Sequence, residues 1–427
     1  MRRISTKTKT WTGSGRLSRL ALAALAAAAL AGCGSDAKSN APPPLDPALV
    51  AAGQQTFRFD TFGDETNWTD TLRLNEVVQT LTPVQALGLG LKVDVDAIPA
   101  DVVAGIKSGA VPLDNAATTL ALLKLNAVVG VKGTVEKDAS GNDKLTRLGV
   151  TCALCHSTVD DSAVQVLGPT AKGIGKRLDG WPNRDLQVGA IIATSPALAT
   201  SPAKDVYASW PAGMYDPRFN FDAKNGPQVI PPAYGLQGIN KITATGDGDD
   251  IQYWNRYVGV TQMGGHGTFS EPRTGVNVNN IPSGGDDLVS SKLPGLQAYQ
   301  LSLAPPAPPA GSFDAAAAAR GQAVFNGVAK CATCHSGPEF TDANTTLHPP
   351  TDSVAEPEPG GAPSYASRSA TKQYRTAPLK GLWQHPPYFH NGTAATLADV
   401  VNTYDTKRSL GLTADQKADL VQYLKSL

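Results

Sequence analysis

The chain lacks the features that announce several large function classes. It has no excess of basic charge, since 37 lysines and arginines balance 37 acids over 427 residues. Six of those bases, Arg2, Arg3, Lys7, Lys9, Arg16 and Arg19, fall within residues 1–32, which contain no acid. Beyond that segment 31 bases face 37 acids, a net of −6, too acidic to grip a nucleic-acid backbone. The apolar run Leu20 to Ala31 is too short to span a bilayer. No Ser-His-Asp arrangement, glycine-rich phosphate loop or catalytic carboxylate pair stands out, which sets aside the common hydrolases and nucleotide-driven enzymes. Cysteine is scarce and odd in number, five in all, so a fully paired disulfide framework is excluded.

Four of those cysteines lie in two pentapeptides, Cys152-Ala153-Leu154-Cys155-His156 and Cys331-Ala332-Thr333-Cys334-His335. Each reads C-x-x-C-H, the attachment signature of c-type haem. On a helical turn, positions i, i+3 and i+4 share one face. Two thiols can then bond the two vinyl groups of one porphyrin while the next imidazole reaches the iron. The motifs therefore predict two haem c groups, bound through Cys152, Cys155, Cys331 and Cys334, with His156 and His335 as proximal iron ligands. A redox dithiol or a zinc knuckle is the competing reading. A thioredoxin-type dithiol has no use for the following histidine, and one motif supplies only three of zinc's usual four ligands.

The basic, acid-free start followed by an apolar run reads as an export signal over residues 1–32. Its end, Leu30-Ala31-Gly32-Cys33, resembles the lipobox of bacterial lipoproteins, which implies acylation of Cys33 and a membrane anchor. An ordinary signal peptide with a stray cysteine is the alternative. Gly34 in place of aspartate implies, by the same resemblance, the outer membrane facing the periplasm. Residues 33–47 read as a flexible tether.

The remaining chain of nearly 400 residues is long enough for at least two domains. The expected fold is mainly α, two cytochrome c-like haem domains, the first with long loop insertions and a small β-hairpin. The first spans 48–304, a proline-rich linker covers 305–310, and the second spans 311–427. Helices are expected around Ala48–Phe57, Leu72–Gln79, Asp286–Leu303, Ala315–Asn326, Thr396–Tyr404 and Thr413–Leu427. Ala116–Val129 is apolar enough for a buried helix or strand. Val129–Thr134 and Leu145–Thr151 flank the turn Ala139-Ser140-Gly141-Asn142 and predict a hairpin leading into the first motif. Residues 193–282, rich in proline, glycine and aromatics, read as an elaborated loop region, and 349–363 as a mobile excursion.

The second domain resembles the C-terminal haem domain of the bacterial di-haem cytochrome c peroxidase superfamily. The resemblance rests on Arg320-Gly321-x-x-x-Phe325, on Cys331-Ala-Thr-Cys334-His335-x-Gly337-Pro338-x-Phe340, and on Tyr374-Arg375-Thr376-Ala377-Pro378-Leu379-x-Gly381-Leu382-Trp383. It continues through Pro387-Tyr388-Phe389-His390-Asn391-Gly392-Thr393-x-x-Thr396-Leu397. That superfamily includes the methylamine-dehydrogenase maturation enzyme and the haem rubber oxygenases. The resemblance implies two haems communicating across a domain interface. The peroxidases place a distal histidine soon after the first haem motif, whereas this chain has none between His156 and His266.

Distal ligands are constrained by scarcity. The three methionines are Met1, Met214 and Met263, so the C-terminal region offers no thioether to its own iron. In the peroxidases the axial methionine follows the Tyr-Phe-His histidine by fourteen positions, which here is Tyr404. The resemblance to the maturation enzyme implies Tyr404 as ligand; that to the rubber oxygenases implies His390. An open site or a plain core tyrosine is the remaining alternative. For the N-terminal haem, Met263 and His266 stand among glycines that permit close backbone approach to a porphyrin; an ordinary loop histidine with an open iron is the other reading.

Arg375 is a candidate partner for a haem propionate, since guanidinium matches carboxylate. Trp181 and Trp383 are candidate electron relays, against the plainer role of core packing. Asp247, Asp249 and Asp250 are weighed as a Ca2+ site, as related peroxidases hold calcium between domains, but the spacing is not that of an EF-hand. The first functional expectation is electron transfer with small redox proteins as donor or acceptor. The second is a di-haem peroxidase or related oxygenase with one open iron. The third is a lipoprotein whose haems are structural and whose surface recruits a partner.

Overall fold

The helix Pro47–Phe59 starts where the sequence places it, with Asp46 accepting the Ala48 N–H and proline at its first position. This computed structural model describes residues 44–427; the export signal, Cys33 and most of the tether lie outside the described residues. Pro47–Phe59 packs against the helix Leu293–Ser302, and the two backbones nearly touch. A Cβ on Gly53 would sit 1.8 Å from the Gly295 carbonyl oxygen, so only glycine permits this crossing. Beside it Phe57 meets Tyr299 edge-on, ring centroids 5.4 Å apart.

The same device recurs in the C-terminal segment. The helix Ala315–Asn326, capped by Asp314, crosses the helix Ala414–Ser426, and a Cβ on Gly321 would sit 2.1 Å from the Asp419 carbonyl oxygen. Phe325 and Tyr423 meet edge-on beside this crossing. Thr413 with Gln416, and Thr396 with Asp399, form reciprocal capping boxes that start Ala414–Ser426 and Leu397–Arg408. Each glycine crossing thus joins two helices that bracket one C-x-x-C-H motif in the chain. Two large apolar clusters accompany them, one drawing on Phe57 to Tyr299 and one on Val324 to Leu424.

The expected hairpin is present as Val131–Lys137 antiparallel to Asp143–Val150, with Asp138 accepting N–H bonds from Ser140 and Asn142 across the turn. It buries Leu145, Leu148 and Val150 and delivers the chain into the first motif, where Ala153–His156 is a single helical turn. Among the described residues the five sheets are each two-stranded, and the rest is helices and turns. Among the described residues no helix is long and apolar enough to cross a membrane.

Several segments differ from the sequence reading. Residues 193–282 are not bare loop. They carry the helices Ala203–Ala208 and Ile251–Tyr257 and the strand pair Thr268–Glu271 with Val276–Asn279, elements too short to show periodicity. An edge-on cluster of Tyr207, Trp210, Tyr215 and Phe219 packs the first part of the stretch, and Tyr253 and Tyr257 against Phe269 join the helix Ile251–Tyr257 to the strand pair. The expected helix Asp286–Leu303 is regular only from Leu293, where Pro294 suits a first turn. The excursion at 349–363 is anchored, because Val354, Ala355 and Glu358 are buried and Glu358 accepts bonds from Asn391 and the Tyr365 N–H. Farther along, Arg368 pairs with Asp216 and Asp222, and Asp247, itself paired with Arg218, accepts the Thr371 N–H, so residues 216–247 are stitched to 368–371.

The glycine crossing gives a direct test. Gly53→Val should destabilise the chain by about 3 kcal/mol, because backbone cannot yield as a flexible side chain does. Gly88→Ala, with open space around it, should stay within about 1 kcal/mol of the parent. Denaturant unfolding checks both, and equal effects would contradict the packing described.

Candidate functional site

Each motif histidine is oriented through Nδ1 by a backbone carbonyl. His156 Nδ1 donates to the Pro231 carbonyl oxygen at 3.0 Å, and His335 Nδ1 donates to the Phe340 carbonyl oxygen at 3.1 Å. A carbonyl only accepts, so each Nδ1 carries the proton and each Nε2 keeps its lone pair. Such an outer partner fixes the tautomer and orientation that a metal-ligating imidazole needs. Burial holds both rings neutral, drawing His156 down to about 4 and lowering His335.

The thiols match this picture better than the dithiol or zinc alternatives. Burial pushes Cys152 and Cys155 up to about 12 and Cys331 up to about 11, so they stay protonated and weakly nucleophilic by themselves. All four motif cysteines are free thiols rather than disulfides. Among the described residues, the groupings able to hold a metal ion are Cys334 with Asp342 and His348, and Glu356 with Glu358 and His390. Neither pools the cysteines of the two motifs, as shared zinc knuckles require.

The rival distal candidates of the C-terminal site stand in different surroundings. Tyr404 is half-buried and pushed up to about 12 by burial, with Cys331 and Cys334 among its electrostatic neighbours. Phe389 packs 6.2 Å from its ring. The side chain of His390 is engaged elsewhere. Its Nε2 lies 2.8 Å from Glu358 Oε1, its ring stacks on Tyr374 at 4.6 Å, and the Tyr374 hydroxyl donates to Glu356 at 2.7 Å.

At the N-terminal site, His266 lies against the 62–66 turn. Its N–H donates to the Phe62 carbonyl, its ring covers Gly63, and Nε2 is 3.4 Å from the Thr66 hydroxyl. The flanking glycines serve close approach to protein: Gly264 faces Asn67 and Gly265 faces Phe62. Met263 is buried in the main apolar cluster, against whose edge Cys152 and Cys155 pack. A polar cavity of about 350 Å3 lies alongside, lined by Asn67, Tyr215, Asn220, Thr261, Gln262 and Asn280 among others. The Tyr215 hydroxyl donates to Gln262 Oε1 at 2.6 Å, and burial together with Tyr207 and Cys155 raises its pKa well above the usual phenol value.

Other sequence candidates divide. Trp181 and Trp383 meet edge-to-face with centroids 5.8 Å apart, one from just after the first motif and one from the C-terminal segment. Arg375 donates Nη1 to the Lys241 carbonyl at 2.7 Å, while its buried Nε has no partner and burial lowers it to about 10. The three aspartates weighed for Ca2+ do not converge. Asp247 pairs with Arg218, Asp249 with Lys241, and Asp250 caps the helix Ile251–Tyr257. Arg184, His385 and the Glu356 and Glu358 carboxylates beside His390 were not legible in the sequence, since no motif carries them.

Both motifs therefore fit a haem c group: histidines with free Nε2, protonated thiols, and a buried guanidinium with an orphaned donor. A family model described as RoxA-like, cytochrome c-like matches residues 373–409. Among curated proteins, cytochrome-c peroxidase IdrP1 of Denitromonas iodatirespirans is 30% identical over 151 residues, covering 26% of this chain and 40% of that protein. The protein of the same name from Pseudomonas sp. (strain SCT) is 30% identical over 147 residues, covering 25% and 39%. The chain thus spans about two fifths of the length of these relatives. Two solved structures overlap more loosely. Hydrazine synthase of Kuenenia stuttgartiensis has TM-score 0.26 at 25% identity, over 34% of this chain and 58% of that one. A MauG-like protein associated with microbial copper homeostasis has TM-score 0.33 at 19% identity, over 47% and 73%. Overlaps of that size decide neither fold nor activity. The family and curated matches support a cytochrome c-like domain and a haem-binding redox function.

A pH effect follows from the junction beside the first motif. Burial, with Arg184 close by, holds His385 down at about 3 against its usual 6.5. The unfolded chain protonates this ring below 6.5 and the folded chain does not, so stability is full above that pH and falls on acidification. The loss from His385 alone between pH 7 and pH 5 is about 2 kcal/mol. His385→Gln should flatten the pH dependence by that amount in denaturant unfolding; identical slopes would reject it.

Proposed function

We propose that the chain is an exported, lipid-anchored di-haem c-type cytochrome that exchanges electrons with small redox proteins in the periplasm. The observation that carries the reading is the pair of C-x-x-C-H histidines, each with Nδ1 committed to a backbone carbonyl and Nε2 free. When bound, each haem supplies a one-electron iron couple. His156 and His335 offer the proximal nitrogens, and Cys152, Cys155, Cys331 and Cys334 the covalent attachment. The repeated pairing of glycine-crossed helices around each motif supports two haem domains, 48–304 and 311–427, joined by 305–310.

Tyr404 is the distal ligand we assign to the C-terminal site. It faces Cys331 and Cys334, whereas His390 Nε2 is occupied by Glu358. Arg375 is the propionate partner there, because its unpaired Nε needs an acceptor. The contact of Trp181 with Trp383 supports an aromatic relay between the two sites. Cys33 is the residue we assign to acylation, anchoring the protein in the outer membrane.

A second reading is favoured by the polar cavity beside Tyr215 and Gln262 and by the relatives named cytochrome-c peroxidases. If neither Met263 nor His266 binds the N-terminal iron, that iron is open to a small polar oxidant such as peroxide, and Tyr215, which lines the cavity, neighbours Cys155 of the motif.

Absorption and electron-spin-resonance spectra separate the two readings. Electron transfer predicts two low-spin haems inert to carbon monoxide; a high-spin ferric signal and a carbon monoxide adduct support the peroxidase. Tyr404→Phe should change the spectrum of one haem and His390→Ala should leave both unchanged; the opposite pattern rejects the assignment of Tyr404. Cys33→Ser should move the protein from the membrane to the soluble fraction, and an unaltered distribution disposes of the anchor.

A further inference from the structure

A buried positive charge with nothing negative beside it sits where the first motif meets residues 381–388. Arg184 follows that motif closely, and its neighbour Asn183 is tied to it by a bond from Asn183 N–H to the Cys155 carbonyl at 2.9 Å. The guanidinium makes a single hydrogen bond, from Nη2 to the His385 carbonyl oxygen at 3.0 Å. Its Nε and Nη1 are buried with no partner. The ionisable groups it faces are His156, His385, Tyr234 and Tyr388. None is an anion at neutral pH. Both phenols already spend their protons on backbone, Tyr234 on the Gly381 carbonyl at 3.1 Å and Tyr388 on the Leu382 carbonyl at 2.9 Å.

A guanidinium cannot shed its proton to escape burial, so an unpaired one is costly unless an anion completes the site. The donors open to it are Nε and Nη1, since the His385 carbonyl takes Nη2, and His156 is among the neighbours of the guanidinium. We infer that Arg184 is the carboxylate receptor of the N-terminal site, taking a propionate of the haem held at Cys152 and Cys155. The C-terminal segment holds that receptor in place through the His385 backbone. This rests on the di-haem reading and goes beyond it, since it makes the charge balance of one cofactor depend on the other half of the chain. Arg375 plays the corresponding part at the second site, so each haem has its own buried guanidinium.

A nearby fixed cation favours the reduced, less positive iron. Arg184→Gln should therefore lower the midpoint potential of the N-terminal haem and leave that of the C-terminal haem in place. Arg375→Gln should do the reverse, and Arg184→Lys should retain most of the parent value. The titrations are followed by visible and electron-spin-resonance spectra on the full chain, with haem content measured from the alkaline pyridine spectrum of each preparation. Fewer than two haems per unmodified chain overturns the di-haem reading itself. Two haems with an unmoved N-terminal midpoint in Arg184→Gln overturns the receptor alone. If Arg184→Gln does not fold, the unmodified protein decides: resonance Raman propionate-bending bands should shift in deuterium oxide, and no shift overturns the inference. An N-terminal midpoint that moves with added phosphate or chloride assigns the site to a free inorganic anion and overturns it as well.

Discussion

A histidine that gives its Nδ1 proton to a backbone carbonyl can present only Nε2 to a metal, and both candidate sites depend on that bond. The two carbonyls come from very different places. Phe340 is five residues beyond His335, so the second site is built almost within its own loop. Pro231 is 75 residues beyond His156, so the first site requires a distant segment to be held in position. That segment is pinned on both sides. The Ala233 N–H donates to the Gly180 carbonyl and the Val229 N–H to the His390 carbonyl. The long insertion is therefore ordered for a reason, since it supplies the orienting oxygen of the first histidine.

The bond from Val229 to His390 also shows why the halves of the chain are not independent. His390 is held by the Glu358 and Tyr374 cluster, and its carbonyl positions the strand Gln228–Val229, two residues before Pro231. Around this seam lie Trp181 against Trp383, Arg184 on the His385 carbonyl, and Arg368 between Asp216 and Asp222. The last of these is a fully satisfied buried ion network, which resists opening because removing one partner strands the others. Arg184 and Arg375 differ in kind. They are buried without an acid, and such groups belong where a negatively charged cofactor is to be received.

Elements governed by local rules were legible beforehand. The helices expected around Ala315–Asn326, Thr396–Tyr404 and Thr413–Leu427 are present, and Asp314, Thr396 and Thr413 cap their starts. The hairpin before the first motif follows from alternating apolar residues around a turn-forming tetrapeptide. The stretch 193–282 was not legible as structure, because its helices and strands are short and its core is an aromatic cluster drawn from scattered positions. The burial of 349–363 was hidden too, since a proline- and glutamate-rich segment reads as solvent-exposed unless its partners Asn391 and His390 are known.

From the sequence alone came two C-x-x-C-H motifs with the histidines that close them, the helix starts and a short slate of distal candidates. These follow from spacing and capping, which act over a few residues of chain. The tertiary structure decided that Tyr404 neighbours Cys331 and Cys334 while His390 is engaged by Glu358, where Pro231 and Arg184 stand, and that Trp181 meets Trp383. Those answers rest on contacts between residues tens to hundreds of positions apart. No local pattern records them, because hydrogen bonding, burial and charge pairing are settled only when distant segments share one core.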